Sequence, residues 1–397
     1  MYDAIIVGAR AAGSPTAMLL ARKGHRVLLV DRATFPSDTL STHYIHQPGV
    51  ARLERWGLLD RLVATGCPPS RGLTFDVGPF ALAGSPLPSD GVAEAYAPRR
   101  TVLDALLVDA AAEAGAEVRT GFPVDELVYE DGAVAGIRSG NVVERARVVV
   151  GADGRHSLVA RAVGAAVYDE RPGLTCAYYT YWGGIEDGDV ELYPREGRMI
   201  MGGTPTHDGL RIVIVFWPRD EFHAVRADVE RSFHDALALA PPLVERLATG
   251  ERADRFYGIG DLPFYYRKPF GPGWALVGDA GYHKDPITAQ GITDAFRDAE
   301  LLAAALDAGF VGAQPLETAL AQYERIRNEE TRGLYELTCE FASLAPPTAE
   351  QQALFAALRT NEEDTRRFFG VVAGTVRADE FFAPANLARI VGAPPPA

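Results

Sequence analysis

Cysteine is scarce in this chain of 397 residues: Cys67, Cys176 and Cys339 stand far apart and never in CxxC spacing. That excludes a disulfide framework and a zinc–cysteine cluster, and a reducing, cytoplasmic setting is expected. An excess of positive charge is also lacking. There are 39 basic residues against 53 acidic ones, a formal net charge of −14. A nucleic-acid partner requires a basic footprint that displaces counterions, and short pairs such as Arg99-Arg100 do not supply one. No apolar run approaches about 18 residues, so no membrane span is expected. The N-terminus has no basic leader before the apolar run at Ala4, so no signal peptide is expected either. Low complexity is confined to Ala393 to Ala397. What remains is ordinary globular composition, 47% apolar and 23% charged, with length for about two or three structural units.

The opening segment carries the strongest local pattern. Ala4 to Val7 is a short apolar run ending in Gly8, and a helical stretch follows to Lys23-Gly24. Then comes Val27 to Val30, ending in Asp31 and Arg32. Strand, glycine turn, helix, strand and acid make a βαβ unit. The turn reads Gly8-Ala9-Arg10-Ala11-Ala12-Gly13. Gly8 suits a tight turn and Gly13 close packing of helix on strand. The helix start offers N–H groups and partial positive charge to a nucleotide pyrophosphate. Asp31 follows Gly13 by eighteen residues, as suits an acid that accepts bonds from ribose hydroxyls. Arg10 stands where a second glycine is usual.

Two further strand ends repeat the theme. Val148 to Val150 runs into Gly151-Ala152-Asp153-Gly154, where Asp153 is either a ligand-facing acid or an N-cap. Trp274 to Val277 runs into Gly278-Asp279-Ala280-Gly281. Asp279 suits the hydroxyls of a polyol chain, or equally a helix cap. The stretch from Pro286 through Gly291 and Ile292 then opens a long helix, whose start favours negative charge.

These three sites, in this order and spacing, resemble the FAD-dependent monooxygenase and oxidoreductase superfamily typified by aromatic hydroxylases, over about residues 1–330. The prenyl reductase and flavin halogenase branches share the fold. The halogenases' Trp-x-Trp-x-Ile-Pro signature is absent; Tyr181-Trp182-Gly183 and Phe216-Trp217-Pro218 are the nearest runs. The resemblance implies an FAD pyrophosphate at Gly8, Ala12 and Gly13, with ribose at Asp31. It places the FAD and nicotinamide regions at Asp153 and Gly154, and the ribityl chain at Gly278 and Asp279. Arg100, in Arg-Thr-Val-Leu-Asp, matches an arginine that approaches the phosphates. Arg10 departs from the pattern: either the backbone stands farther from the pyrophosphate or the guanidinium contacts it. Tyr282 stands where hydroxylases carry His, with His283 one place later.

The implied fold is α/β, a Rossmann-like FAD-binding domain with an inserted antiparallel-sheet substrate domain and a helical C-terminal segment. The expected divisions are 1–75, 96–172 and 265–330 for FAD, 76–95 and 173–264 for substrate, and 331–397 for a C-terminal cap. Helices are expected over 49–65 and 220–249. The implied reaction is an NAD(P)H-driven monooxygenation through a flavin C4a-(hydro)peroxide, with reductase, dehydrogenase or halogenase chemistry as alternatives. A non-catalytic flavoprotein is the remaining one. No second Gly-rich turn follows residue 154, so NAD(P)H binds transiently or a partner reductase supplies electrons. His283, Lys284 and Asp285 are the candidate catalytic groups, with a solvated charge cluster as the other reading. His43 and His46 suit flavin-side or structural roles; their spacing also fits a metal pair, but no third ligand is apparent, so no metal is expected. Tyr179 and Tyr181 on one strand face, together with Trp217, are the candidate contacts for a bulky apolar or aromatic small molecule. The apolar stripe Leu334, Leu337, Phe341 and Leu344 predicts that the last segment packs, as a lid or as plain scaffold.

Overall fold

A computed structural model describes residues 1–185 and 188–392. The low-complexity tip at Ala393 to Ala397 lies outside the described residues. Five parallel strands form the central sheet, in the order Glu117–Arg119, Val27–Val30, Tyr2–Val7, Val142–Gly151 and Trp274–Leu276. The apolar runs are continuous because both faces of these strands are covered. Ala4, Ile6, Val27, Leu29, Val148 and Val150 pack under the helices Gly13–Arg22, Arg100–Glu113 and Gly291–Phe310. Ile5, Val7, Leu28, Val30 and Val149 face the other way, against Leu127, Val134, Ile137 and Val159. Gly8, Asp31, Asp153 and the Gly278-Asp279 pair each follow the C-terminal end of one of these strands. That edge is where open α/β sheets bind ligands.

A second sheet roofs that edge. Its order is Thr175–Gly183, Arg211–Pro218, Arg198–Pro205, Val190–Arg195, Leu73–Asp76 and Ala81–Gly84. All neighbours are antiparallel except Leu73–Asp76 on Val190–Arg195. One face carries Tyr179, Tyr181, Leu192, Met199, Met201 and Ile214 toward the C-terminal helices. The other carries Tyr178, Trp182, Val215 and Trp217 onto helices holding Phe233, Leu237 and Leu243.

Several boundaries differ from expectation. The strand Leu73–Asp76 belongs wholly to the second sheet, so a division after residue 75 falls inside it. The division at 265 likewise cuts Phe264–Arg267, which pairs with Val167–Arg171 and Tyr282–His283. Residues 49–65 form two helices, Gln47–Arg55 and Leu59–Ala64, parted at Gly57, whose φ of +72° no helix accommodates. Residues 220–249 form three short helices, Phe222–Ala227, Val229–Leu237 and Pro241–Leu247. A cap beginning at 331 begins mid-helix, since Leu316–Ala342 is continuous. Beyond it, Ala349–Leu358 starts with a Thr348/Gln351 capping box, and Glu362–Ala373 lies against Ala81–Gly84.

Candidate functional site

The glycine turn is built by exclusion. A Cβ on Gly8, whose φ is +106°, would stand 2.4 Å from the Ala152 carbonyl oxygen; one on Gly13 would stand 1.7 Å from the Gly8 carbonyl oxygen. Strand, helix and the Gly151–Gly154 segment therefore meet at backbone contact. Gly278 joins them: its φ is +61°, and a Cβ there would lie 2.7 Å from Ala12 Cβ. No side chain caps the helix Gly13–Arg22 and no acid stands in its first turn, so its positive end stays available to an anion.

Around this start the acids divide. Asp31 accepts from the Ala9 N–H at 2.7 Å and the Ala33 N–H at 2.8 Å. Those bonds hold it at the turn and leave lone pairs for hydroxyl donors. The Asp279 side chain is exposed, and its backbone carbonyl accepts from Tyr265 Oη at 2.7 Å. Asp153 is engaged within the chain. Its carboxylate accepts from Ser157 Oγ at 2.5 Å and from the Leu158 N–H at 2.6 Å, capping the helix Leu158–Ala162. Gly154 serves a left-handed backbone, φ +77°, with open space around it. Arg32 is exposed.

Arg10 has partners within the chain. Its guanidinium turns from the turn toward Asp104 Oδ2 at 2.6 Å and Ser37 Oγ at 2.8 Å, and lies over the Phe35 ring at 5.4 Å. Arg100 binds the other oxygen of the same carboxylate, Nε at 3.1 Å and Nη2 at 2.9 Å. Asp104 is fully buried. Two guanidinium groups on one buried carboxylate leave one net positive charge beside the helix start. Asp104 went unread in the sequence; its place four residues after Arg100 on one helix was the available signal.

The candidate catalytic trio is buried, so it is not a solvated charge cluster. Lys284 Nζ pairs with Asp294 and lies 3.0 Å from Tyr282 Oη. Burial pushes its ammonium below the usual lysine range, with Asp294 opposing. Asp285 accepts from Thr175 Oγ1 at 2.6 Å and the Ile287 N–H at 2.9 Å, and burial pushes it up to about 7. His283 Nδ1 donates to the Pro263 carbonyl at 2.5 Å and its ring stacks on Tyr265. Burial pushes His283 below the usual range, against the pull of Asp279. The reason is topological: Tyr282–His283 is a strand paired with Phe264–Arg267, and Arg327 of the long C-terminal helix bonds the Gly281 carbonyl beside it.

A narrow cleft opens between the second sheet and the C-terminal helices. Leu192, Met199, Met201 and Ile214 form one wall; Phe341, Phe369, Val372 and Ala373 form the other. Its end is made by Thr42, Tyr44, His46 and Gln47 and by Ile287 to Ala289, from the segments that precede the helices Gln47–Arg55 and Gly291–Phe310. Pro286 starts the turn Pro286–Thr288, and Gly291 is exposed with open space at its Cβ position. Ile292 is turned into the core, 6% exposed. His46 Nε2 donates to the Thr288 carbonyl at 3.0 Å, and burial pushes its pKa down to about 4. His43 Nε2 lies 2.7 Å from Tyr181 Oη, and burial, then Arg100 and Arg99, push it down to about 3. Tyr179 and Tyr181 share the cleft's sheet face but sit beside Tyr257 and Arg99, away from its lining. Trp217 lies on the opposite face, packed on Tyr178 and Phe233. Among the described residues no group of three or more His, Cys, Asp or Glu is placed to hold a metal ion, and no helix is long and apolar enough to cross a membrane.

An anion-ready helix start, an acid held at the glycine turn and a roofed apolar cleft are thus on one edge of the fold. The chain belongs to the FAD binding domain family, whose model matches residues 1–338. Protein FixC of Escherichia coli K12 is 33% identical over 180 residues, 42% of this chain, so the match spans two fifths (40%) of that relative's length. Digeranylgeranylglycerophospholipid reductase 1 of Methanopyrus kandleri is 27% identical over 94% of this chain and 98% of its own. The myxobacterial chondrochloren halogenase CndH has a TM-score of 0.79 at 24% identity, over 98% of this chain and 94% of its own. PqsL, a probable FAD-dependent monooxygenase from Pseudomonas aeruginosa, has a TM-score of 0.71 at 24% identity, over 93% and 99%. The protein is thus a member of an FAD-binding family. Its residues fit that cofactor: a backbone cradle that a Cβ at Gly8 or Gly13 would fill, an uncapped helix start beside net positive charge, and acids at both expected hydroxyl positions.

Proposed function

We propose that the protein is an NAD(P)H-driven monooxygenase of a bulky apolar or aromatic small molecule. The observation that carries this is the roofed cleft, mostly apolar and ending on the segments that the family resemblance assigns to the flavin ring. Bound FAD would supply hydride acceptance and oxygen activation. The chain's own contribution is to bind, orient and exclude water. Gly8, Gly13 and Gly278 let the backbone approach the dinucleotide, with Asp31 for ribose and Asp279 for the ribityl chain. The net charge of the Arg10, Asp104 and Arg100 group favours the phosphates. His46 is neutral, with its Nε2 proton held on the Thr288 carbonyl, so it orients that loop and does not deliver a proton at neutral pH. Gln290 Nε2 donates to the Val372 carbonyl at 2.6 Å, tying the flavin-side loop to the helical wall that shields it.

A second reading, reduction of a C=C bond, is favoured by the near full-length likeness to the archaeal reductase. One experiment separates the two. Under anaerobic conditions NADH or NADPH bleaches the flavin, and O₂ is then admitted with candidate apolar substrates. Substrate-dependent oxygen consumption with hydroxylated product is the expected result. Reoxidation that needs an organic acceptor instead of O₂ selects the reductase. Bleaching by neither nucleotide contradicts direct NAD(P)H use and points to an electron-donor reductase.

A further inference from the structure

We infer that the cleft takes an uncharged apolar molecule bearing a neutral O–H or N–H donor, and that it rejects the matching carboxylate. The inference deepens the oxidoreductase reading of the same site and rests on it.

The walls make the first part of the case. Two methionines, Met199 and Met201, face Phe341, Phe369 and Val372 across the cleft. Thioether chains adapt to ligand shape, so these walls can part around a ligand larger than the about 50 Å³ that stands open between them. The second part is that no buried cation lines the cleft among the described residues. Of the lining residues, Arg71 alone carries charge at neutral pH. It stands at the mouth with its side chain 70% exposed, and its Nε is 3.3 Å from Glu94 Oε1. A carboxylate moving past it would leave water and meet no compensating charge, a costly transfer. His46 does not supply that charge, because burial keeps it neutral. Tyr44 keeps its proton as well, its hydroxyl pushed up to about 12 by burial.

The third part is Gln47. It is buried and lines the cleft's end, and its amide nitrogen donates to the Ala93 carbonyl at 3.2 Å. Its Oε1 is buried and accepts no hydrogen bond among the described residues. An unpaired buried acceptor is stabilised by an incoming donor and repelled by a second acceptor. Walls, missing cation and spare acceptor thus select the same ligand class, which a phenol or alcohol with an apolar body satisfies and its carboxylate analogue does not.

The test is isothermal titration calorimetry of the FAD-loaded, oxidised protein at neutral pH with para-octylphenol and para-octylbenzoate. FAD loading is checked beforehand by absorbance. The phenol is expected to bind at least about tenfold more tightly. Met201→Lys, or Leu73→Lys at the half-buried lip should the first not fold, is expected to reverse that order. Equal or tighter binding of the benzoate by the unaltered protein overturns the inference. So does binding of neither ligand by FAD-loaded protein whose flavin NAD(P)H reduces normally, an outcome that leaves the oxidoreductase reading standing. Failure to load FAD, in contrast, removes the oxidoreductase reading and this inference with it.

Discussion

At the scale of single residues, the site is set by two kinds of constraint: where no side chain fits, and where charge must be balanced. Gly13 is the sharper case of the first. Gly13→Ala forces a methyl group into the Gly8 carbonyl, with the Ala152 Cβ 3.1 Å away hindering relief. We expect a loss of at least about 1–3 kcal/mol in denaturant unfolding and a sharply lower FAD content. A normal FAD complement in that variant would remove Gly13 from the cradle. Asp104 is the case of the second. Asp104→Ala leaves Arg10 and Arg100 facing each other without their shared carboxylate, and we expect a destabilisation of about 3–5 kcal/mol. An unchanged denaturation midpoint would mean that the pair finds other partners. Arg10 bonds Ser37 Oγ as well as Asp104, so it bridges the loop after Asp31 to the helix Arg100–Glu113. Arg10→Gly, which restores the usual glycine, is expected to speed FAD dissociation in stopped-flow fluorescence; an unaltered off-rate would contradict the bridge.

At the scale of elements, the short turn Pro286–Thr288 and the C-terminal helices matter most. Asp285 caps that turn and is buried, so its folded pKa of about 7 lies above the unfolded value of 3.8. A raised carboxyl stabilises the fold fully below the unfolded pKa, and that contribution is lost as pH rises through the folded one. Unfolding free energy compared between the natural protein and Asp285→Asn should therefore shift against the natural protein between about pH 4 and pH 7, by a few kcal/mol at most. A pH-independent difference would show that Asp285 is ionised throughout. The helix Glu362–Ala373 supplies Phe369, Val372 and Ala373 to the cleft. Phe369→Ala opens that wall, and we expect FAD binding and flavin reduction to persist while peroxide release per NAD(P)H rises. Unchanged coupling would reduce the segment to scaffold.

At the scale of the whole molecule, the sequence was informative where local rules decide and silent where register or tertiary pairing decides. The parallel strands were legible because burial on both faces makes them continuous apolar runs, and Gly8, Gly13 and Asp31 because strand, turn and helix follow one another directly. Trp217 was misplaced because its face depends on register: it pairs opposite Cys176, so it shares a face with Tyr178 and Trp182, away from Tyr179 and Tyr181. The ion pair of Lys284 was not legible because nothing local marks Asp294, ten residues on, as its buried partner. The cleft itself was invisible, being formed by segments near residues 45, 200, 290 and 370 that only the fold brings together.

The central claim is that the strand-end site holds FAD with its ring end opening on the apolar cleft. A crystal structure of the FAD-loaded protein tests it most directly. The account predicts pyrophosphate at the start of Gly13–Arg22, adenosine ribose on Asp31, ribityl chain by Asp279, and isoalloxazine between residues 42–47 and 287–291. An isoalloxazine ring placed away from those two segments, or a pyrophosphate bound elsewhere than at the Gly8–Gly13 turn, would contradict it.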